Sequence, residues 1–299
     1  MQWIQKYLVL GLVANSTALY ALALHTGQPT EWAVLLASVL TLGVVWVLER
    51  RIPFRPGWRR GSGGHQGDWK VDVTSAGVIV GVVDPLLKAL APLLLVRLYA
   101  AVGAPLEAGA LLAGLSLGAQ VLVVLLGAEL GKYVAHRLYH RLAPLWWLHA
   151  MHHSSTRLYV LNGLRVHPLN HALNFALSVL PLMLLGASPE AIWAYLALTQ
   201  PVLLLQHANI DLRHGWLNRV FSTPEVHRWH HSTHPQEANS NFGSTLMLWD
   251  HLLGTYRAAE GFDKSRQVGL FAASGASYPG SSGYVRQLMS MWRAPCCRV

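Results

Sequence analysis

Long apolar segments are the feature that most constrains the fold of this 299-residue chain. Two of them, Tyr7–Leu24 and Trp32–Leu48, are long enough to span the hydrocarbon core of a bilayer, which is roughly 30 Å thick. A second pair follows at Ser75–Leu98 and Gly109–Ala128. Charged residues make up only 12% of the sequence, about half the share found in an ordinary soluble protein. The sequence therefore predicts an all-α integral membrane protein with about four transmembrane helices.

A third apolar pair, Asn170–Gly186 and Ala191–Gln206, is shorter, and Pro181 and Pro201 interrupt it. We expect a short membrane-embedded or re-entrant hairpin here, with a full span as the open alternative. In all three pairs the turn between the segments lacks Lys and Arg, whereas basic residues lie at the outer ends. Because cytoplasmic loops are enriched in Lys and Arg, these outer ends are predicted to face the cytoplasm.

The segments divide the chain into three predicted regions. Residues 1–70 form an N-terminal transmembrane hairpin with a basic cytosolic loop, residues 71–256 a membrane domain with a cytosolic helical cap, and residues 257–299 a cytosolic tail. The glycines within residues 61–67 fit neither a dinucleotide-binding nor a Walker A motif. The net charge of +9 is spread over loops instead of forming an aromatic-laced patch, which argues against a nucleic-acid partner.

Asp84 and Lys88 are charged residues within an apolar segment, where an ionisable group is a functional candidate by default. Their spacing of four residues also fits a neutralised ion pair on one helix, and Pro85 fits a break in that helix. We favour the second interpretation, a neutralised pair at a helix break.

The spacing of the histidines indicates a metal site. Histidines three and four residues apart on a helix share one face, so HxxxH and HxxHH motifs each present two or three imidazoles together. One HxxxH and two HxxHH motifs occur beside the apolar segments, and the last follows a helix start at Ser222 or Thr223. The clustered residues are His136, His140, His149, His152, His153, His227, His230 and His231.

Eight imidazoles exceed the ligand set of a single metal, since a tetrahedral zinc takes four. The sequence therefore predicts a dimetal site in the cap, with His207 as a ninth ligand and His167 as a weaker tenth. Pro168 gives His167 an alternative role at the start of a helix. Imidazole suits zinc, copper, iron and nickel. The adjacent Cys296 and Cys297 cannot supply a cysteine-based zinc site or an iron–sulfur cluster.

Glu129 lies seven residues before His136, on the same helical face. We predict that its carboxylate accepts an N–H from a metal-binding imidazole, which would fix the tautomer and orientation of that ring. This would be a supporting role in the site, since Glu129 is not predicted to bind the metal itself.

Taken together, these motifs resemble the fatty acid hydroxylase/sterol desaturase superfamily of membrane-bound, histidine-rich, non-haem di-iron enzymes. The resemblance covers roughly residues 125–256. At Glu129 the family tends to have Asp, and at His251 it has Arg, so His251 is not predicted to be a ligand. The motifs that carry the resemblance are HRLYH (136–140), HAMHH (149–153), RVHPLN (165–170), QHAN (206–209), PEVHRWHH (224–231) and NFG…WDHLLGTY (241–256).

The resemblance implies O2-dependent oxidation of a lipid C–H bond at two iron ions, with O2 as co-substrate. Hydroxylation of a membrane lipid, sterol or fatty acyl chain is the main expectation, and desaturation at the same site is the alternative. The resemblance also implies an external electron donor of the ferredoxin or cytochrome b5 type with its reductase, because the sequence has no haem, flavin or NAD motif.

A hypothesis from another class is a histidine-lined metal transporter or a structural zinc membrane protein, with zinc in place of iron. Transporters usually bind their ions near the middle of the membrane, whereas these clusters lie at helix ends and in the cap. The Ala-, Leu-, Gly- and Arg-rich composition favours a bacterial cytoplasmic membrane, or the endoplasmic reticulum if the source is eukaryotic. The histidine clusters are expected on the cytoplasmic side.

Overall fold

The computed structural model describes residues 1–59, 68–101 and 110–292. The glycine-rich residues 61–67, the turn at 103–109 and the two cysteines lie outside the described residues. Within them the chain is helical, and β-structure is limited to two isolated bridges. Four helices are long and apolar enough to cross a membrane, which confirms the predicted number. They are α1 (Gln2–Thr26), α2 (Thr30–Arg51), α3 (Asp68–Ala101) and α4 (Leu117–Arg141).

Shorter helices complete the fold. The third apolar pair forms two helices of 17 residues each, fewer than the roughly 20 residues that a helix needs to span a bilayer. The medium-length helices are α5 (Ala143–His153), α6 (Pro168–Leu184), α7 (Pro189–Leu205) and α8 (Pro224–His230). The shortest are α9 (Pro235–Ala238), α10 (Leu248–Leu252), α11 (Ala272–Gly275) and α12 (Tyr284–Leu288).

The boundaries of α4 differ from the apolar segment that predicted it. The helix begins at Leu117 instead of Gly109, because the Ser116 hydroxyl accepts a hydrogen bond from the Ala119 N–H at 3.4 Å and caps the helix there. At its other end α4 continues past the apolar residues to Arg141. This extension carries His136 and His140 beyond the apolar part of the helix.

The predicted helix break at Asp84 is wrong. Helix α3 continues through this point, and a π-helical turn at Ile79–Val83 accommodates Pro85 without ending the helix. The hydrogen-bonded partner of Asp84 is the Nε2 atom of His171 on α6, at 2.6 Å. Spacing along one helix could not reveal this partner, because it comes from another helix.

Two apolar clusters hold the helices together. Leu8 and Leu12 of α1 pack with Val202 and Leu205 of α7. Helix α4 packs against α6 and α7 through a second cluster that contains Val124, Ala128, Leu182, Ala191 and Tyr195. Helix α4 approaches α6 closely at Gly131, where an added Cβ atom would lie 2.1 Å from the backbone oxygen of Leu177. Only glycine fits at this crossing.

Several helix ends meet the cap at one end of the bundle. The Gln5 side chain at the start of α1 donates to the Asp211 carbonyl oxygen at 2.8 Å. Near the end of α2, Glu49 accepts the backbone N–H groups of Val160 and Asn209, both at 2.8 Å. The start of α1 and the end of α2 therefore lie on the same side, as the hairpin prediction requires. The histidine motifs lie at this end of the bundle.

Candidate metal centre

Four parts of the chain supply the nine histidines predicted as the main ligands. The last two turns of α4 carry His136 and His140, and α5 follows after the single residue Leu142. His207 comes two residues after the end of α7. Helix α8 begins with Pro224 in its first turn, as expected for a helix start, and presents its HxxHH motif.

The structure brings these nine side chains into two groups. In each group every residue offers one ligand atom, and these atoms all lie within 4.8 Å of one another. The five-histidine group consists of His136, His140, His149, His153 and His230. The four-histidine group consists of His152, His207, His227 and His231.

The Nε2 atoms converge in both groups. In the five-histidine group, the Nε2 atom of His153 lies 3.2 Å from those of His140 and His149 and 3.1 Å from that of His230. In the four-histidine group, the Nε2 atom of His227 lies 3.1 Å from that of His207 and 3.0 Å from that of His231. The groups are neighbours, since the rings of His153 and His231 stack with their centroids 4.4 Å apart.

Hydrogen bonds at Nδ1 indicate the tautomer of the rings. The Nδ1 atom of His136 lies 2.9 Å from the Phe242 carbonyl oxygen, and that of His149 lies 3.0 Å from the Asn170 side-chain oxygen. An oxygen of this kind only accepts, so each Nδ1 carries the proton and each Nε2 of the neutral ring presents a lone pair. These two Nε2 atoms are 3.0 Å apart. Two facing lone pairs repel, and a cation between them removes the repulsion.

An oxygen partner at Nδ1 also occurs for two residues of the four-histidine group and for His230 of the five-histidine group. The Nδ1 atom of His207 donates to the Asn162 side-chain oxygen at 2.9 Å, and that of His152 faces the Arg165 carbonyl oxygen at 3.3 Å. The Nδ1 atom of His230 faces the Ser240 carbonyl oxygen at 3.0 Å. Five of the nine imidazoles thus have an oxygen partner at Nδ1 and a free lone pair at Nε2. This donor set fits a pair of divalent metal ions.

Burial keeps the rings neutral. It lowers the pKa of His152 to about 3, with a smaller contribution from the charge of His136. Burial also lowers the pKa of His153 and His231 well below the usual value, and the neighbouring imidazoles add to the effect. A neutral imidazole is the form that binds a metal, so the site is prepared for ligation without a proton first having to leave.

Aromatic side chains enclose the five-histidine group. The ring centroid of His140 lies 5.0 Å from that of Trp146, and that of His136 lies 5.6 Å from that of Phe242. Phe271 stacks on Trp146 at 4.9 Å, so part of the predicted C-terminal tail packs against the site. Each group has one half-buried histidine, His136 in the first and His152 in the second, and its other members are buried.

The predicted contact of Glu129 with an imidazole is wrong. The Oε1 atom of this buried carboxylate accepts the Tyr195 hydroxyl at 3.2 Å. Its Oε2 atom accepts the backbone N–H groups of Thr245 and Leu246 at 2.7 and 3.0 Å. Glu129 lies almost two turns before His136 on α4. Its side chain therefore contacts the segment that follows Phe242 instead of the imidazole rings. Its contribution is to fasten that segment to α4 and α7.

His167 lies outside both groups. It is the residue that precedes α6, and its Nδ1 atom accepts the Leu169 N–H at 3.1 Å, which is the role in a helix start that Pro168 suggested. His251 is also elsewhere: its ring is exposed and stacks on Tyr256 with centroids 4.1 Å apart.

We therefore expect the substitution His167→Ala to leave the metal content unchanged. It removes a helix cap, which typically costs about 0.5–2 kcal/mol of stability. The prediction is checked by elemental analysis of the purified variant together with its thermal unfolding. Loss of a metal at an unchanged unfolding temperature would instead make His167 a ligand.

Sequence reasoning missed the groups that orient the imidazoles. Asn170 belongs to the RVHPLN motif, but its spacing from His149 gives no sign of a contact. Asn162 lies in a short 3-10 helix, Val160–Leu164, whose sequence contains no recognisable motif. The backbone oxygens of Arg165, Ser240 and Phe242 cannot be recognised from residue type at all, since every residue has one.

Comparison with known proteins agrees with the motif resemblance. Residues 121–255 match the family described as fatty acid hydroxylase. A segment of 138 residues is 48% identical to ornithine lipid hydroxylase OlsE of Rhizobium tropici and covers 46% of this chain and 41% of that protein.

Alkylglycerol monooxygenases are also similar. The protein from Danio rerio is 32% identical over 134 residues, and the human protein is 30% identical over 137 residues. Both matches cover 44% of this chain and 29% of the relative. The chain thus spans less than half the length of these curated relatives. No solved structure matches it.

Proposed function

We propose that this chain, which carries a fatty acid hydroxylase domain over residues 121–255, is a membrane-bound di-iron enzyme that hydroxylates a lipid. The observation that carries the proposal is the convergence of nine imidazoles into two adjoining groups of five and four. A single metal site would not require two groups, and a site without metal would leave facing lone pairs at 3.0 Å between His136 and His149.

Iron is the metal that best accounts for both the ligands and the relatives. Imidazole binds iron, zinc and copper alike, so the ligand type alone does not select among them. The names of the relatives include a hydroxylase and monooxygenases, whose chemistry adds oxygen to a substrate. Two bound irons would supply the activation of O2 and the oxidation of the C–H bond.

The side chains of this protein would hold, orient and shield that centre. The five-histidine group would hold one iron and the four-histidine group the other. Hydrogen bonds from Nδ1 to Asn162, Asn170 and backbone oxygens keep the rings in the ligating tautomer. The aromatic side chains Trp146, Phe242 and Phe271 exclude water from one side.

The substrate is proposed to be a bilayer lipid that presents an alkyl or acyl chain. Four helices are long and apolar enough to cross a membrane, so a substrate of this kind could reach the site from within the bilayer. Access to both irons is proposed on the side of His136 and His152, because these are the half-buried members of their groups. The relatives favour hydroxylation over desaturation, since their names describe hydroxylase and monooxygenase activity.

Electrons are proposed to come from a ferredoxin or cytochrome b5-type donor with its reductase. The histidine-bearing end of the bundle would face the cytoplasm, where a soluble donor could approach. The basic residues at the outer ends of the apolar segments support this orientation. A bacterial cytoplasmic membrane is the proposed location.

Metal analysis of gently purified protein tests the proposal most directly. After growth on iron-57, we expect two irons per chain and a Mössbauer signal that changes when reductant and O2 are added. Incubation with membrane lipids, a donor and O2 should add one oxygen atom to a lipid, detected by mass spectrometry. Loss of two hydrogen atoms from the lipid would indicate desaturation instead. Bound zinc without oxygen-reactive iron under any growth condition would overturn the proposal.

A further inference from the structure

The four-histidine group has a support of its own, residues 155–165, a loop that contains the 3-10 helix Val160–Leu164. Two of the four imidazoles donate their Nδ1 protons to this loop: His207 to the Asn162 side chain and His152 to the Arg165 backbone. Of the other two, His227 lies on α8 and His231 directly follows the last residue of that helix. The position of the loop therefore determines the orientation of two of the four imidazole rings.

Asn162 is the centre of the loop. Its side-chain oxygen accepts both His207 Nδ1 and the Tyr159 backbone N–H, the latter at 3.1 Å. Its Nδ2 atom donates to the Ser155 hydroxyl at 3.0 Å and to the Arg157 carbonyl oxygen. The donor and acceptor ends of the amide are thus both assigned by their partners, and the buried side chain has one orientation.

Two ion pairs, one of them fully buried, fasten the loop to the start of α3. The Arg157 guanidinium donates to both carboxylate oxygens of Asp68, at 2.6 and 2.8 Å. The Nε atom of Arg165 donates to Asp72 at 2.5 Å, and the Tyr159 hydroxyl donates to the other oxygen of Asp72. The Asp72 and Arg165 side chains are 0% and 1% exposed, so solvent does not screen their contact, whereas the carboxylate of Asp68 is 19% exposed.

The five-histidine group is supported elsewhere. Its Nδ1 partners among the described residues are the Phe242 and Ser240 backbone oxygens and Asn170 of α6. None of these belongs to residues 155–165. The two groups thus adjoin each other but depend on different parts of the fold.

We propose that Asp72 is a positioning residue for the four-histidine group alone. Through Arg165 and Tyr159 it holds the loop in which the Arg165 carbonyl orients His152 and Asn162 orients His207. Helix α3, whose apolar part is largely exposed, would thereby control one metal of the pair and not the other. The inference rests on the proposed function only in requiring that each group binds a metal.

The substitution Asp72→Asn tests this proposal. It keeps the size of the side chain and removes its charge, so Arg165 loses the carboxylate that fixes it. Changes to groups that orient ligands typically cost about 10–100-fold in metal affinity. We expect the purified variant to retain one metal per chain instead of two and to lose one of the two iron sites in the Mössbauer spectrum.

Two further variants complete the experiment. Asn162→Ala, which removes the partner of His207 without touching an ion pair, should lose the same spectral component as Asp72→Asn. Asp84→Asn makes the same chemical change on the same helix, but its partner is His171 instead of the loop, so both metals should remain. The substitution Asp72→Glu, which restores the charge, should recover part of the lost metal.

Retention of both metals by Asp72→Asn, or equal loss from both sites in Asp72→Asn and Asn162→Ala, would overturn the inference. Failure of the proposed function looks different. A wild-type protein with two zinc ions would contradict the iron enzyme, whereas the change from two metals to one in Asp72→Asn would still be measurable by elemental analysis.

Discussion

Replacing His153 with Ala is expected to abolish activity and remove metal from the five-histidine group. Its Nε2 atom is the one that lies within 3.2 Å of three other ligand nitrogens, those of His140, His149 and His230. The loss should exceed 100-fold, because changes to residues that merely support ligands already cost about 10–100-fold. Activity on extracted lipids and iron content per chain measure the effect.

The matched control is His251→Ala, which removes an imidazole of the same kind from an exposed position outside both groups. It should keep both metals and full activity. Membrane insertion of the His153 variant should be normal, since the apolar helices do not depend on this ring. Substantial activity in a stably inserted His153→Ala protein would contradict the assignment of the site.

The membrane architecture was predictable from sequence because hydropathy is a property of segments. Four long helices are present where the sequence has four apolar runs, and the start of α1 and the end of α2 both contact the cap. The beginning of α4 was not predictable from hydropathy, since the helix start is set by the single side chain Ser116. Hydropathy also could not predict the π-helical turn before Asp84, because its residues are as apolar as those of an ordinary α-helical turn.

The metal centre was predictable where it depends on local spacing. HxxxH and HxxHH on helices present their rings together whatever the rest of the fold does. What spacing could not give is the division into groups: His152 and His153 are adjacent in sequence but belong to different groups. Adjacent residues of a helix point about 100° apart, so one motif serves both sites. The group to which each ring belongs depends on the positions of α8 and His207 relative to α5 in the folded chain.

The supporting contacts were the least predictable part. Glu129 lies on the predicted helical face, but its carboxylate accepts the backbone N–H groups of Thr245 and Leu246 instead of an imidazole N–H. Asp72 and Arg165 are 93 residues apart. Pairs so distant in sequence depend on the packing of α3 against the cap, and no local pattern encodes that packing.

Helices α4 and α6 approach each other closely at Gly131, and Gly131→Ala is expected to disrupt this crossing. A Cβ atom there would lie 2.1 Å from the Leu177 oxygen and 2.8 Å from the Ser178 Cα, both of which are backbone atoms. A side chain could rotate away, but a backbone can only move with its helix. We expect destabilisation near or above the upper end of the roughly 1–3 kcal/mol that overpacking usually costs. Thermal unfolding in detergent measures it.

The metal content should fall in the same variant. Helix α4 carries His136, and α6 carries Asn170, which accepts the Nδ1 proton of His149. Moving the two helices apart therefore separates His136 from the residue that orients His149, its neighbour in the group. Gly118→Ala is the matched control, because it lies on the same helix with nothing within 4 Å of the added atom. Alanine is the better helix former by up to about 1 kcal/mol, so this variant should be as stable as the wild type or more so, with both metals bound. A Gly131→Ala protein that is as stable as Gly118→Ala and binds both metals would contradict this prediction. The close crossing of α4 and α6 would then not be what positions His136 relative to Asn170.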